Sequence, residues 1–131
     1  MSLLLDSHVL EWAANDDPRL SPKVRQAIAL EHSGELFVLD VTLLDLARHL
    51  QAGTIPVTGS GLVWLRAAAA HVVVLPITVE IAWRAVELNW SHKDPADRLI
   101  VATALTRDLP LATKDAKIHA LASQVGLRVV W

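Results

Sequence analysis

The chain has 131 residues, of which 53 % are hydrophobic, and a formal net charge of −2. This composition excludes a disordered chain and predicts one globular domain over residues 1–131, and no apolar run reaches the about 18 residues that a membrane-spanning helix needs. The chain has no cysteine, which excludes disulfide bonds and cysteine-ligated zinc and is typical of a reducing, cytoplasmic location.

The first half of the chain alternates short apolar runs with segments of helical character. Residues 3–5 are three leucines followed by Asp6, which predicts a short buried strand of a parallel sheet. Pro22 after Ser21 is typical of the first turn of a helix. The elements predicted here are a strand at 3–5, a short helix at 9–13, a helix from 22 to His32 closed by Gly34, a strand at 36–39, and helices at 42–52 and 62–70.

The second half continues this alternation. After Thr78, a predicted helix cap, apolar residues recur at helical spacing and form one stripe of an amphipathic helix that reaches residue 90. The stripe consists of Val79, Ala82, Trp83, Val86 and Trp90. The other elements predicted here are strands at 72–75, 110–113 and 127–130 and helices at 95–106 and 115–124. Apolar strands that alternate with helices predict a parallel sheet with helices on both faces.

Aspartates lie near the predicted carboxyl ends of the strands, where parallel sheets bind ligands. Asp6 follows the first strand and Asp115 the fourth. Asp94 and Asp97 begin the helix that leads into the fourth strand. Several carboxylates at one end of a sheet could hold a metal ion. The alternative is that these aspartates only cap helices and interact with helix dipoles, and that Asp45 is solvated on the polar side of its helix.

Four short motifs, in order along the whole chain, resemble those of PIN-domain proteins. Residues 4–12, LLDSHVLEW, resemble L-L-D-T-H-x-L-L-W, and residues 41–47, VTLLDLA, resemble the second motif of the family. Residues 92–99, HKDPADRL, resemble H-x-D-P-F-D-R-L, and residues 111–115, LATKD, resemble L-x-T-x-D. Together the four motifs resemble the VapC-type branch, the ribonuclease toxins of bacterial toxin–antitoxin pairs.

The resemblance implies an α/β, PIN-like three-layer fold with a five-stranded parallel sheet of order 3-2-1-4-5. The acidic quartet of the family falls on Asp6, Asp45, Asp97 and Asp115, with Asp6, Asp97 and Asp115 as metal ligands and Asp94 as a helix cap. Asp45 stands where the family usually has glutamate, so its carboxylate is one methylene shorter, and we expect it to act on the metal through a water molecule. Ser7 replaces the usual threonine and keeps the hydroxyl.

The activity that the resemblance implies is an endoribonuclease that hydrolyses RNA phosphodiesters with Mg²⁺ or Mn²⁺. Because the net charge is −2, RNA must be held by a local basic patch or through metal ions. The predicted substrate-binding residues are Ser7, Arg48, Lys93, Arg98, Thr113 and Lys114. Competing predictions are an ion pair of Arg98 with Asp94 or another acid, and an ordinary exposed side chain for His92. The implied partners are an antitoxin protein and a second copy of the chain, with Trp64 and Trp83 as candidate interface residues.

Other classes of function stay open from the sequence. With the shorter Asp45, the chain is alternatively a catalytically weak or inactive PIN-like module that binds RNA or a protein. A haloacid-dehalogenase-like phosphatase also has an aspartate after its first strand, but it needs a second acid at the position of His8. A response-regulator receiver domain needs an acid pair before its phosphorylated aspartate, and no such pair precedes Asp45.

Overall fold

Five short strands form one sheet in the computed structural model, which describes residues 2–30 and 35–131. The strands are β1 (Leu3–Leu5), β2 (Leu36–Leu39), β3 (Val73–Leu75), β4 (Leu111–Ala112) and β5 (Val129–Val130). Their order across the sheet is β3-β2-β1-β4-β5, and each neighbouring pair is parallel. The strand order that the family resemblance implies is therefore confirmed.

Helices connect these strands. The helices are α1 (Ser7–Ala14), α2 (Pro22–Leu30), α3 (Asp40–Ala52), α4 (Gly61–Ala69), α5 (Val79–Glu87), α6 (Pro95–Arg107) and α7 (Ala116–Val125). The predicted end of the second helix, at His32 and Gly34, lies outside the described residues. In residues 2–30 and 35–131, no helix combines the length and the apolar character needed to cross a membrane.

The sheet separates two hydrophobic cores, as β1 illustrates. Successive side chains of a strand point to opposite faces, and accordingly Leu3 and Leu5 belong to one cluster and Leu4 to the other. Buried side chains of α1 to α4 complete the first cluster, and those of α6 and α7 complete the second. Helices therefore cover both faces of the sheet, which agrees with its solidly apolar strands.

The helix α5 packs on α6 and leaves its predicted apolar stripe in solvent. Ile81 and Ala85 are buried against Ala102 of α6. By contrast, the side chains of Val79 and Trp83, which belong to the stripe, are 82 % and 71 % exposed. The part of the predicted stripe that lies on α5 is therefore exposed, whereas Trp90 lies beyond the end of the helix and is partly buried against the second core.

Candidate active site

The carboxyl ends of β1 and β4 form the centre of the site. Leu5 of β1 lies opposite Ala112 of β4 in the register of the sheet, so the residues that follow them, Asp6 and Thr113, are neighbours. Thr113 Oγ1 donates a 2.7 Å hydrogen bond to Asp6 Oδ2. The strand order reverses between β1 and β4, and parallel sheets bind ligands at such a reversal point.

Asp6 is buried and also caps α1. Only 5 % of the residue is exposed, and its Oδ1 accepts a 2.8 Å hydrogen bond from Ser7 N–H. Ser7, also buried, is the first residue of the helix. Each carboxylate oxygen has two lone pairs, so an oxygen with one hydrogen-bond donor keeps a lone pair for a cation. The cap role that the sequence suggests for Asp6 is thus compatible with metal binding.

Thr113 connects Asp6 to Asp115 through a single buried hydroxyl. While donating to Asp6, Thr113 Oγ1 accepts a 3.0 Å hydrogen bond from Asp115 N–H. Asp115 caps α7, as predicted, because its Oδ1 accepts from Lys117 N–H at 2.8 Å. On the other side of this turn, His119 Nε2 lies 2.7 Å from Thr113 O. These contacts fix the positions of both carboxylates relative to each other.

Asp97 reaches the site from the first turn of α6, where it contacts His92. His92 Nε2 and Asp97 Oδ2 are 2.6 Å apart, and the His92 side chain is only 17 % exposed. The rings of Trp90 and His92 pack with their centroids 4.9 Å apart. The prediction of an ordinary exposed His92 is therefore wrong. Asp94 is the N-cap, as predicted, because its Oδ1 accepts from the N–H groups of Ala96 and Asp97 at 2.9 and 3.5 Å.

The electrostatics of the site favour a bound cation. Burial raises the pKa of the Asp97 carboxyl above its usual range, the hydrogen bond from His92 opposes this, and the charges of Asp6, Asp94 and Asp115 raise it further. A cation beside the Asp97 carboxyl would oppose this shift and stabilise the charged carboxylate. Among the described residues, potential ligand atoms of His92, Asp94 and Asp97 lie within 4.8 Å of one another. The two carboxylates in this group offer oxygen donors, which suit Mg²⁺ or Mn²⁺.

Asp45 differs from the other three acids of the predicted quartet. It lies on α3, where its Oδ1 is 3.7 Å from Arg48 Nη2 and 3.8 Å from His49 Nε2, one helical turn away. The Arg48 side chain is 67 % exposed. The structure thus links Asp6 to Asp115 through Thr113, and the charges of both act on Asp97, whereas Asp45 pairs with side chains of its own helix. In the described part of the chain, the group with ligand atoms close enough to share one ion contains Asp97 but has His92 and Asp94 in place of Asp6 and Asp115, so the predicted set of three metal ligands stays a prediction.

Arg98 has a different function from either of those predicted for it. Its five N–H groups donate to five backbone carbonyls between residues 85 and 92, at 2.6 to 3.2 Å. The carbonyls at a helix C-terminus have no partner inside the helix, and α5 ends at Glu87, not at Trp90 as predicted. An arginine has five N–H donors, so none is left for Asp94 or for a phosphate.

His8, to which the sequence analysis gave no role, bridges Asp6 and the turn after β4. His8 Nε2 accepts a 2.9 Å hydrogen bond from Lys114 N–H, and Nδ1 lies 3.6 Å from Asp6 Oδ2. Burial lowers the pKa of His8, while the charges of Asp6 and Asp115 oppose this shift and that of Lys114 adds to it. Because Nε2 accepts a hydrogen bond, it carries no proton in the neutral ring. The proton is therefore assigned to Nδ1, which faces Asp6. The sequence feature that could have indicated this role is the position of His8, two residues after Asp6.

The two lysines predicted to bind substrate are exposed and flank the acids. Lys93 lies in the loop before α6, next to His92. Lys114 lies in the turn before α7, with its Nζ 5.7 Å from the centroid of the Trp12 ring. An ammonium group over the face of an aromatic ring is a cation–π contact, and Lys114 is nevertheless exposed to solvent. Both cations are thus available near the carboxylates.

The parallel sheet with acids at its reversal point defines the class of protein. A model of the PIN domain family matches residues 3–124, and the chain belongs to this family. The sequence resemblance stated from the four motifs is therefore confirmed at the level of the family.

Individual relatives agree with this membership. The chain is 40 % identical over 120 residues to Ribonuclease VapC22 of Mycobacterium tuberculosis (strain ATCC 25618 / H37Rv). The aligned region covers 91 % of each protein. The solved structure of DNA-bound VapBC from Salmonella typhimurium is similar with a TM-score of 0.76 at 17 % identity, covering 99 % of this chain and 97 % of the other. VapC20 of Mycobacterium tuberculosis, described as a sarcin-ricin loop cleaving toxin, is similar with a TM-score of 0.62 at 17 % identity, covering 91 % and 94 %.

Proposed function

We propose that the protein is a metal-dependent endoribonuclease and the toxin of a toxin–antitoxin pair located in the cytoplasm. The observation that carries this proposal is the pair Asp6 and Asp115, linked through Thr113 at the strand reversal, with charges that act on Asp97. The relative at 40 % identity is named a ribonuclease, which supports RNA as the substrate.

In this proposal the residues of the chain position the reacting groups. Asp6, Asp97 and Asp115 would hold Mg²⁺ or Mn²⁺, which when bound lowers the pKa of a water molecule and stabilises charge on a phosphodiester. The buried hydroxyl of Thr113 keeps the Asp6 carboxylate in one orientation, and His92 does the same for Asp97. Groups that are already oriented lose little freedom at the moment of reaction.

Exposed cations near the carboxylates would attract the RNA backbone. Lys93 and Lys114 carry this role in the proposal, because both are exposed beside the site. Arg48 contributes from α3, where it is 67 % exposed next to Asp45. The buried Ser7 would act through its hydroxyl at the start of α1. Arg98 is not part of this set, since its donors are used by backbone carbonyls.

Removal of divalent metal tests the proposal. With EDTA, we expect cleavage of a mixed-sequence RNA to stop, because the carboxylates then have no cation to oppose their repulsion and no metal activates water. Excess Mg²⁺ or Mn²⁺ should restore it. RNA fragments resolved by electrophoresis give the measurement, and equal amounts of Na⁺ salt serve as the control for ionic strength. Cleavage that continues at an unchanged rate in EDTA would contradict a metal-dependent mechanism.

A second candidate function is a weakly active or inactive PIN-like binding module, which the pairing of Asp45 within α3 favours. Asp45→Glu distinguishes the two, because the longer side chain reaches further from the helix toward the cleft. We expect the variant to need a lower Mg²⁺ concentration for half-maximal cleavage than the wild type. A Mg²⁺ titration of the cleavage rate is the measurement. A higher Mg²⁺ requirement would mean that Asp45 is already well placed and that the shorter side chain does not weaken metal binding.

We also propose that the chain forms a homodimer through α5, besides binding an antitoxin. The exposed stripe is nearly symmetric along the helix. Val79 lies three residues before Ala82, and Val86 lies three residues after Trp83. Two antiparallel copies would place Val79 against the partner's Val86. Such a two-fold contact is self-complementary, and burial of exposed tryptophan is typical of interfaces.

Charge agrees with this pairing of two copies. In the antiparallel arrangement, Arg84 of one copy lies near the partner's Glu80, so unlike charges flank the apolar stripe. Trp83→Glu should therefore shift the protein from dimer to monomer in analytical ultracentrifugation, because it places a carboxylate in the centre of the apolar contact. Trp83 is 71 % exposed, so the fold should persist. Leu62→Glu, at another exposed apolar residue, is the matched control. An unchanged dimer in Trp83→Glu would refute this interface.

A further inference from the structure

A polar groove runs away from the acidic site between the loop before α6 and the helix α7. Its volume is about 540 Å³, which is within the range of about 300–1,000 Å³ common for small-molecule sites. The polar residues that line it include Asn89, Ser91, Lys93, Lys117 and Gln124. A groove of this size accommodates one nucleotide rather than a long stretch of RNA.

Both walls of the groove begin at residues that touch the carboxylates of the site. On one wall, His92 lines the groove and its Nε2 is 2.6 Å from Asp97 Oδ2. On the other wall, Lys117 lines the groove and its N–H donates to Asp115 Oδ1 at 2.8 Å. A strand of RNA with its reacting phosphate at the carboxylates would therefore continue directly into the groove.

The charges of the groove suit a phosphate. Lys93 and Lys117 are exposed, and in residues 2–30 and 35–131 neither of them forms an ion pair with a carboxylate. Arginines elsewhere in the described chain, such as Arg19 and Arg25, do pair with acids. Two cations without a partner, one on each wall, attract an anionic group between them.

The amide side chains suit a nucleobase. Asn89 and Gln124 lie on opposite sides of the groove, in the loop and on α7. Each amide offers both donors and an acceptor, and such groups pair with the edges of unstacked bases in single-stranded RNA. The groove therefore offers cations for a phosphate and amides for a base, next to residues that contact Asp97 and Asp115.

We propose that this groove, lined by Asn89, Lys93, Lys117 and Gln124, is the binding subsite for the nucleotide next to the scissile phosphate of a single-stranded RNA. This inference rests on the proposed ribonuclease function and adds to it the place where the chain selects its cleavage sequence. The lysines hold the flanking phosphate, and the two amides read the base.

Charge removal tests the phosphate contacts. In an Asp6→Asn background, which prevents cleavage, fluorescence anisotropy measures binding of a labelled mixed-sequence single-stranded RNA. We expect Lys117→Gln and Lys93→Gln each to weaken binding by about threefold or more and to reduce the slope of log K against log salt by about 0.7, the value for one phosphate contact on a single strand. Lys23→Gln is the matched control, because Lys23 is exposed on α2, on the other face of the sheet. Unchanged affinity and slope in Lys117→Gln would overturn the proposal.

Filling the groove tests its location independently of charge. Ala120 is exposed on α7 and lines the groove, whereas Ser123, another small residue, is exposed on the same helix outside the set of lining residues. We expect Ala120→Trp to weaken RNA binding and Ser123→Trp to leave it unchanged. Equal binding by the two variants would place the RNA elsewhere. If Ala120→Trp fails to fold by circular dichroism, the lysine variants alone decide the question.

Base reading has its own measurement. In the cleavage-competent protein, Gln124→Ala should relax the base preference at one position beside the cut, as seen by sequencing the fragment ends of a random RNA pool. An unchanged preference in both Gln124→Ala and Asn89→Ala would reject the base contact. The two proposals can fail separately. If the ribonuclease proposal is wrong, Asp6→Asn cleaves RNA as well as the wild type; if only the subsite proposal is wrong, Asp6→Asn is still inactive.

Discussion

Asp6→Asn and Asp115→Asn should each reduce Mg²⁺-dependent RNA cleavage by more than about 100-fold, since even outer-shell partners of a metal contribute about 10- to 100-fold. Each substitution removes one of the negative charges that act on Asp97 near the strand reversal. An amide oxygen binds a divalent cation more weakly than a carboxylate, and its neutral side chain does not offset the charge of the metal. The rate of fragment formation at saturating Mg²⁺ is the measurement.

The fold should survive both substitutions, and this separates a chemical effect from a structural one. Asp6 and Asp115 cap α1 and α7, and asparagine is as good an N-cap as aspartate. Denaturant unfolding should therefore change little for Asp115→Asn. Asp6→Asn should lower the free energy of unfolding by about 1–3 kcal/mol without unfolding the protein, because an amide nitrogen cannot accept the hydrogen bond that one oxygen of Asp6 accepts from Thr113 or Ser7. Asp108→Asn is a matched control, because Asp108 is an exposed C-cap with a φ of 52°, a conformation that asparagine tolerates. Cleavage at the wild-type rate by either site variant would show that the acids are caps alone.

The alternation of apolar strands and helices was sufficient to predict the layers of the fold. The leucines at 3–5 and the apolar run at 111–112 appear as β1 and β4, buried on both faces. The order of the strands did not follow from this pattern and came from the family motifs. Alternation specifies which elements exist, whereas strand order depends on contacts between residues far apart in sequence.

Contacts across the site were also beyond the reach of sequence patterns. The hydrogen bond from Thr113 to Asp6 joins residues 107 positions apart. His92 lies in a loop, where no periodicity indicates the direction of a side chain, so its contact with Asp97 was missed. The motif spacing placed the acids at the correct strand ends, but it did not reveal which groups hold them in position.

The exposed stripe of α5 shows a further limit of periodicity. Helical spacing identifies residues that share one face, and Val79 and Trp83 do share a face. It does not tell whether another part of the same chain covers that face. Here α6 contacts the neighbouring side of the helix through Ile81 and Ala85, so Val79 and Trp83 stay exposed.

Arg98→Lys should lower the free energy of unfolding by about 2–3 kcal/mol, which is large for a substitution that keeps the charge. A lysine has three donors on one nitrogen and cannot reach five carbonyls spread over residues 85–92. A carbonyl left without a partner away from water is destabilising by about 1–3 kcal/mol. Denaturant unfolding measured by circular dichroism gives the value. Arg107→Lys, at the exposed end of the same helix, should change it by less than about 0.5 kcal/mol.

Activity should fall as well, even under conditions where Arg98→Lys is fully folded. Two of the five carbonyls belong to Trp90 and His92, and His92 is the residue that orients Asp97. Loosening this segment therefore allows Asp97 to move relative to Asp6 and Asp115. We expect kcat to fall by a larger factor than the affinity for RNA in an Asp6→Asn background, because Arg98 has no free N–H for a phosphate and acts on the groove only through the loop that it anchors. A loss of RNA affinity without a loss of stability would instead return Arg98 to the substrate-binding role that its motif suggests.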